Sequence, residues 1–384
     1  MSVEPVESSV EQIADVVLYE GYLLYPYRRS ATKNQQRWTF GGVYPRLYSE
    51  GSGGADPWFM QTQCLVVGAA EATETPMCDA TFEVKLRFLH VVDRSVAARP
   101  AQPTATAPPD EDGAGSWPRV EELRVGEQLY RPWEEAVERE ILIGGSGDKP
   151  LRLGELVERG RRRVIEIPAG RADEPLCDPA GTVVGGLVRE WQALHGTVEI
   201  AAEPLADERT GAAGAGYRLT VRIANTAPWT WPYGEGDTRS RGAALRRTFV
   251  STHTILRVRG GAFVSLLEPP PEYQAAAEGC ANIKTWPVLA GTEGERHTLL
   301  SSPIILYDYP RISPETTGDL FETTEIDELL TLSILTLTDE EKQEMRESDA
   351  RGREILERTE TLTSEQLMKM HGAIRSLQPA RKEE

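Results

Sequence analysis

The sequence is short of cysteine and histidine, has no long apolar run, and carries no excess of positive charge, and each shortage removes a class of function. Its four cysteines, Cys64, Cys78, Cys177 and Cys280, are far apart, and none belongs to a C-x-x-C pair. That spacing predicts isolated buried thiols, with no disulfide framework, zinc knuckle or iron–sulfur pattern. The five histidines, His90, His195, His253, His297 and His371, fall outside any H-E-x-x-H motif, and no G-x-S-x-G occurs. No segment approaches the roughly 18–20 apolar residues that cross a bilayer. The opening MSVEPVESSVEQIADVV carries acids where a secretory leader needs bases. A cytoplasmic protein without a membrane span is the expectation. With 60 acidic against 42 basic residues, the formal net charge is -18, which repels nucleic acid at long range. No nucleic-acid partner is expected.

The chain is rich in turn formers: 34 glycines and 26 prolines among 384 residues favour many short strands over long helices. Strand-like runs occur in VVLYEGYLLY, WFMQTQCLVVG and TFEVKLRFLHVV. In the last, Phe82, Val84, Leu86 and Phe88 alternate with Glu83, Lys85 and Arg87, the period of a half-buried strand with a charged solvent face. Residues 1–11 read as an acidic, frayed end. EQLYRPWEEAVEREI reads as a short amphipathic helix with Trp133, Val137 and Ile141 on one side, and the glycines of GTVVGGLV as tight turns. GTVEIAAEPL and YRLTVRIANT form the clearest hairpin, and VRGGAF fits a second, tight one.

These signals predict an α+β fold: a β-rich antiparallel sandwich or barrel-like body with a C-terminal helical segment. Four regions follow: an N-terminal β-rich region (1–95), a flexible Ala/Pro linker or loop (96–118), a second β-rich region with a short helix (119–312), and an acidic helical tail (313–384). Capping boxes at Thr338–Glu341 and Thr363–Gln366 open the tail helices.

Candidate chemistry is sparse. GGSGDKP at Gly144 lacks phosphate-loop spacing, and GAAGAG at Gly211 precedes a strand instead of following one, so both read as turns. Cys280 with His253 or His297 is a conceivable nucleophile without a third orienting group. No cofactor or metal site is expected. What remains is aromatic and basic. Leu18 to Tyr48 holds six of the twelve tyrosines, and APWTWPYGEGDTRSRGAALRRTF sets tryptophans before a run of arginines. Tyrosine, tryptophan and arginine give rigid, amphipathic contact area. The interface candidates are Tyr22, Tyr25, Tyr27, Arg28, Arg29, Arg37, Trp38, Trp229, Trp231, Tyr233 and Arg241. The plainer alternative buries Tyr22, Leu24 and Val43 and leaves the arginines solvated. Arg28, Arg29, Lys33 and Arg37 would then line a loop able to receive the acidic tail.

LYEGYLLYPYRRSATKNQQRWTFGGVYP and SSPIILYDYPRISPETTGDLFETTEIDELLTLSILTLTDEEK resemble two blocks of uncharacterised proteins encoded beside nickel-iron hydrogenase genes in actinobacteria. The resemblance covers roughly 70 residues closely. It implies a non-enzymatic accessory protein for assembling, scaffolding or supporting a hydrogenase, with a hydrogenase subunit or maturation factor as partner. Two alternatives stand beside it: a small-ligand or anion-binding module near Trp229 and Arg241, and a cysteine-dependent enzyme using Cys280.

Overall fold

The computed structural model describes residues 4–19, 41–68, 79–100, 117–145, 147–206, 213–233, 239–311, 342 and 356–357. The chain divides into two compact units, Met1–Tyr22 with Gln36–Arg311, and Leu23–Gln35 with Ile312–Glu384. Of the expected tail helices, only residues 342 and 356–357 are described, and these are helical. The remainder of that tail, and its expected packing on the basic loop, lie outside the described residues.

In the first unit, α1 (Glu4–Tyr19) and α2 (Arg46–Gly51) precede β1 (Phe59–Val67) and the 18-residue β2 (Thr81–Ala98). Next come β3 (Arg119–Val120), β4 (Leu123–Val125), β5 (Gln128–Tyr130), β6 (Trp133–Ile143), β7 (Leu151–Arg152) and α3 (Leu153–Glu158). β8 (Arg161–Ile167), β9 (Gly170–Cys177) and β10 (Val183–Trp191) lead to β11 (Leu194–Ala206) and β12 (Ala213–Asn225). After α4 (Arg239–Leu245) follow β13 (Val250–Arg259), β14 (Ala262–Val264), α5 (Gln274–Glu278), β15 (Trp286–Leu289) and β16 (Thr298–Ser302).

The strands form two antiparallel sheets and a small β4–β5 ribbon. One sheet has the order β14-β1-β12-β11-β8; the other runs β15-β16-β13-β2-β10-β9, with β3, β6 and β7 also paired to β2. Alternate residues of β2 explain how the sheets meet. Phe82, Val84, Leu86 and Phe88 share a buried cluster with Met60, Cys64 and Val66 of β1, Val198 and Ile200 of β11, and Leu219, Val221 and Ile223 of β12. Fully burying each large side chain contributes about 1.5–3 kcal/mol, so this inner layer holds the sandwich shut. A chain of buried hydroxyls also crosses it: Ser301 lies 2.7 Å from both Thr62 and Thr285, so each polar group is satisfied where water is excluded.

The β-rich α+β expectation is what the fold shows, and the β11–β12 hairpin is present with Val198 opposite Ile223 and Ile200 opposite Val221. Four local expectations are overturned. The N-terminal acidic stretch and the start of VVLYEGYLLY form α1, not a frayed end and a strand. Val10, Ile13, Ala14 and Val17 recur at helical spacing and bury against Ile255, Val288, Ala290 and Leu300 of the larger sheet. EQLYRPWEEAVEREI is β5 and β6, not a helix. Trp133, Val137 and Ile141 are four apart, which places them on one side of a helix but equally on one face of a strand. β2 decides between the two by pairing with all of β6, from Arg94 opposite Trp133 to Val84 opposite Ile143. GTVVGGLV lies largely within β10, where the chain approaches β2 too closely for a side chain: a Cβ on Gly185 would meet the Ala97 carbonyl oxygen at 2.7 Å. VRGGAF is not a hairpin, because β13 pairs with β2 while β14 pairs with β1. The chain changes sheets there, with Gly260 at a φ of 79°.

The charged face of β2 is not bare either. Glu11 of α1 binds Lys85 at 2.9 Å and Arg257 at 3.2 Å, and Asp15 binds Arg87 at 2.5 Å. Val96 to Ala98, the start of the expected linker, belong to β2, and β3 pairs with Val96 and Ala97; residues 101–116 of that stretch lie outside the described residues.

Two consequences are measurable. Burial alone would raise the Glu11 carboxyl, but Lys85 and Arg257 hold it below its ordinary 4.5. A depressed carboxylate contributes stability that is present above the unfolded-state value and lost as pH falls through the folded-state one. Urea midpoints should therefore drop on acidification below pH 4.5, and Glu11→Gln should flatten that part of the curve; an unchanged profile would dissociate Glu11 from the docking of α1. Gly196→Ala should destabilise by about 1–3 kcal/mol through overpacking, because its Cβ would meet the Phe249 ring at 2.5 Å and the Ala224 carbonyl at 2.8 Å. A calorimetric scan checks this, and an unaltered transition would count against that packing.

Candidate functional site

The aromatic and arginine residues singled out from the sequence divide into two groups. Tyr22, Tyr25, Tyr27, Arg28, Arg29, Arg37 and Trp38 lie outside the described residues. Trp229, Trp231, Tyr233 and Arg241 are described, and the first two, with Arg241, meet the tyrosines of a segment just before β1.

Local chemistry places each member. Pro45, at φ -53° and ψ 136°, is the non-helical cap of α2, so Tyr44 lies just before the helix and Tyr48 within it. Gly42 lets the Tyr44 ring fold back over the chain, since a Cβ there would sit 2.5 Å from that ring. At the end of β12, buried Asn225 donates to the carbonyls of Val43 at 2.8 Å and Arg247 at 2.7 Å. Its own carbonyl accepts from the Ala227 amide at 2.8 Å. That side chain does the work of a backbone turn, and it directs the irregular segment from Ala227 to Trp231 to the tyrosines. Arg247 reinforces it by donating to the Pro228 carbonyl at 3.1 Å.

Four rings result. Tyr44 stacks on Tyr48 with centroids 5.4 Å apart; Tyr48 meets Trp229 edge-on and Trp231 at a tilt, each at 5.5 Å; and the two tryptophans lie 5.9 Å apart, edge to face. Such arrangements add about 0.5–1.5 kcal/mol per pair beyond area burial. Arg241 of α4 locks the base by donating to the Tyr44 hydroxyl at 2.6 Å and lying 3.4 Å from the Asp56 carboxylate. Tyr48 donates to the same carboxylate at 3.2 Å. Burial raises the Tyr44 hydroxyl well above its usual range. Burial, then the charge and hydrogen bond of Asp56, push Tyr48 up to about 12. Both phenols stay protonated at neutral pH, and their hydroxyls tie the cluster to Arg241 and Asp56.

Exposed apolar side chains flank it in sequence, Leu47 next to Tyr48 and Tyr233 two residues beyond Trp231. Trp229 is only 7% exposed, whereas Leu47 is 57% and Tyr233 51% exposed, with Trp231 half-buried between the two extremes. The indole N–H of Trp229 has no hydrogen-bond partner among the described residues. On the neighbouring outer face, Arg46 lies 4.6 Å above Trp58 and Arg222 lies 4.1 Å above Phe59, in cation–π contact.

The chain matches no protein-family model, no curated protein and no solved structure. The capacity of the site is therefore read from its own side chains. Tyr44, Tyr48 and Asp56 were not singled out from the sequence. The two tyrosines were visible in the aromatic opening, but nothing in GSGGADPW marks Asp56 as the acceptor for Arg241.

The other reactive groups stand elsewhere. Cys280 donates weakly to the Ala276 carbonyl at 3.5 Å; burial raises its thiol, and Arg218 opposes that rise only in part. His253 hydrogen-bonds the Ser251 carbonyl at 3.0 Å, and His297 lies 3.3 Å from that of Gly261. Burial lowers His253 to about 4, so it is neutral. Among the described residues no group of three or more His, Cys, Asp and Glu side chains is placed to hold a metal ion, and no helix is long and apolar enough to cross a membrane.

Replacing Asp56 by Asn removes the charge and weakens the hydrogen-bond acceptor that raise Tyr48, leaving burial in place. The Tyr48 ionisation should fall below about 12, read by ultraviolet titration of tyrosinate with Tyr48→Phe assigning the signal. A Tyr48 value unmoved by the substitution would break the Arg241–Asp56–tyrosine arrangement.

Proposed function

We propose that the protein is a non-enzymatic, cytoplasmic accessory component that binds another protein through the rim formed by Leu47, Trp231 and Tyr233. The observation that carries this reading is the exposure of Leu47, next to Tyr48, and of Tyr233, two residues beyond Trp231, on an aromatic base whose tyrosine hydroxyls are engaged by Arg241 and Asp56. Affinity at protein interfaces concentrates in such rigid aromatic anchors, and a pre-ordered base lowers the entropy lost on docking. The resemblance of the two sequence blocks supplies the partner: a subunit or maturation factor of a nickel-iron hydrogenase system.

The alternative of an anion-binding module near Trp229 and Arg241 is less well supported, since Asp56 and the Tyr44 hydroxyl already engage that guanidinium. A nucleophilic role for Cys280 draws little support from a thiol raised by burial. Affinity purification of the tagged chain from cells expressing the hydrogenase operon, followed by mass spectrometry, tests the proposal. A hydrogenase component should be recovered, and the joint substitution of Trp231 and Tyr233 by Ala should reduce that recovery about tenfold or more, as loss of two anchors does. Recovery of no such component at low and moderate salt would sink the reading of the partner. Recovery unaffected by the double substitution would move the interface elsewhere.

A further inference from the structure

The GGSGDKP loop leads into α3, and the site around it is built differently from what its glycines suggest. Asp148 fills the loop's own concavity: its carboxylate accepts from the Lys149 amide at 2.8 Å and the Gly144 amide at 3.3 Å, and it lies 3.2 Å from Arg161. Two backbone donors and a guanidinium are the groups a bound anion would take, so that position is satisfied from within.

Beside it is a hollow of about 250 Å³ between this loop, α3 and the start of β8. Its wall carries four cations, Lys149, Arg152, Arg159 and Arg161, and one carboxylate, Glu155. In a protein of net charge -18 this is a local inversion of sign. The surrounding acids offset it incompletely. Asp148 takes Arg161, and Asp79 lies 3.8 Å from Arg152. Glu155 alone serves both remaining cations, Lys149 at 3.2 Å and Arg159 at 3.2 Å. Gly160, at a φ of 64°, turns the chain between α3 and β8, so that Arg159 and Arg161 reach the hollow from either side of the bend.

We infer that this hollow is a binding site for a small tetrahedral oxyanion of phosphate size, held by Lys149 and Arg159 in competition with Glu155, with Arg152 and Arg161 adding positive charge to its wall. Guanidinium forks match the oxygens of such an ion in pairs, and a lysine adds a mobile point charge. The volume is below that of the usual cleft for a drug-sized ligand, roughly 300–1,000 Å³, and suits an ion. The site shares no residue with the aromatic rim and is independent of the partner proposed there.

Isothermal titration of the full chain with inorganic phosphate, against chloride at matched ionic strength, tests the inference. Phosphate should bind saturably, with a dissociation constant on the order of 1 mM. Glu155→Gln removes the internal competitor and should tighten binding several-fold. Lys149→Met with Arg159→Met should weaken it about tenfold or more. Lys149 and Arg159 are exposed and Glu155 is half-buried, and circular dichroism checks that both variants fold. Absence of saturable phosphate binding overturns the inference, as does a Glu155→Gln variant that binds no more tightly than the parent. Phosphate binding indifferent to the paired Met substitutions would also overturn it, by placing the ion elsewhere.

Discussion

Strand β2 is the constraint on which the rest of the first unit depends. Its 18 residues pair on one side with β13 and then β10, and on the other with β7, β6 and β3 in succession. Because side chains alternate, every neighbour's register is tied to one decision about which face of β2 points inward. Phe82, Val84, Leu86 and Phe88 make that decision by entering the core. Lys85 and Arg87 are thereby sent to the opposite face, where α1 meets them with Glu11 and Asp15 while burying its own apolar stripe. A slip of one residue would put the guanidinium of Arg87 among leucines and phenylalanines.

The aromatic cluster depends on the same framework at one remove. Phe249, whose ring packs 4.8 Å from Phe88, immediately precedes β13, and its carbonyl receives the Val43 amide. Asn225 then ties Val43 to Arg247 and to the chain that carries the tryptophans. A polar side chain buried to 1% exposure is costly to bury unless its bonds are made, and here three of them align two distant segments. The charges of the cluster are consumed internally by Arg241 and Asp56. Rigidity and apolar area are what it has to offer a partner, whereas the hollow beside α3 is walled by four cations and one carboxylate.

Legibility followed locality. The β11–β12 hairpin could be read directly because two alternating runs flank a turn-rich loop, and each strand keeps one face buried. β6 could not, because residues four apart satisfy both periods, and only pairing along β2 selects the strand. α1 was hidden by its acids: they suggest a solvated end until Lys85, Arg87 and Arg257 are seen beneath them. Tyr44 and Tyr48 were conspicuous as text, yet their union with Trp229 and Trp231, nearly two hundred positions later, rests on hydrogen bonds from Asn225 that no local pattern encodes. Arg241 was picked out as a basic contact and is engaged by Asp56, an acid with no distinguishing neighbours.

By itself, the sequence determined the fold class: abundant turn formers and alternating runs allow little but antiparallel sheets. It also determined the charge balance and the lack of a recognised catalytic motif. Tertiary structure decided which glycines are turns and which are close approaches, where the chain changes sheets, and which charges are spent on one another. The physical reason is range. Alternation and turn chemistry act over a few residues and are written consecutively, whereas ion pairs, ring contacts and the sign of a local field arise between segments that meet only after the core has closed.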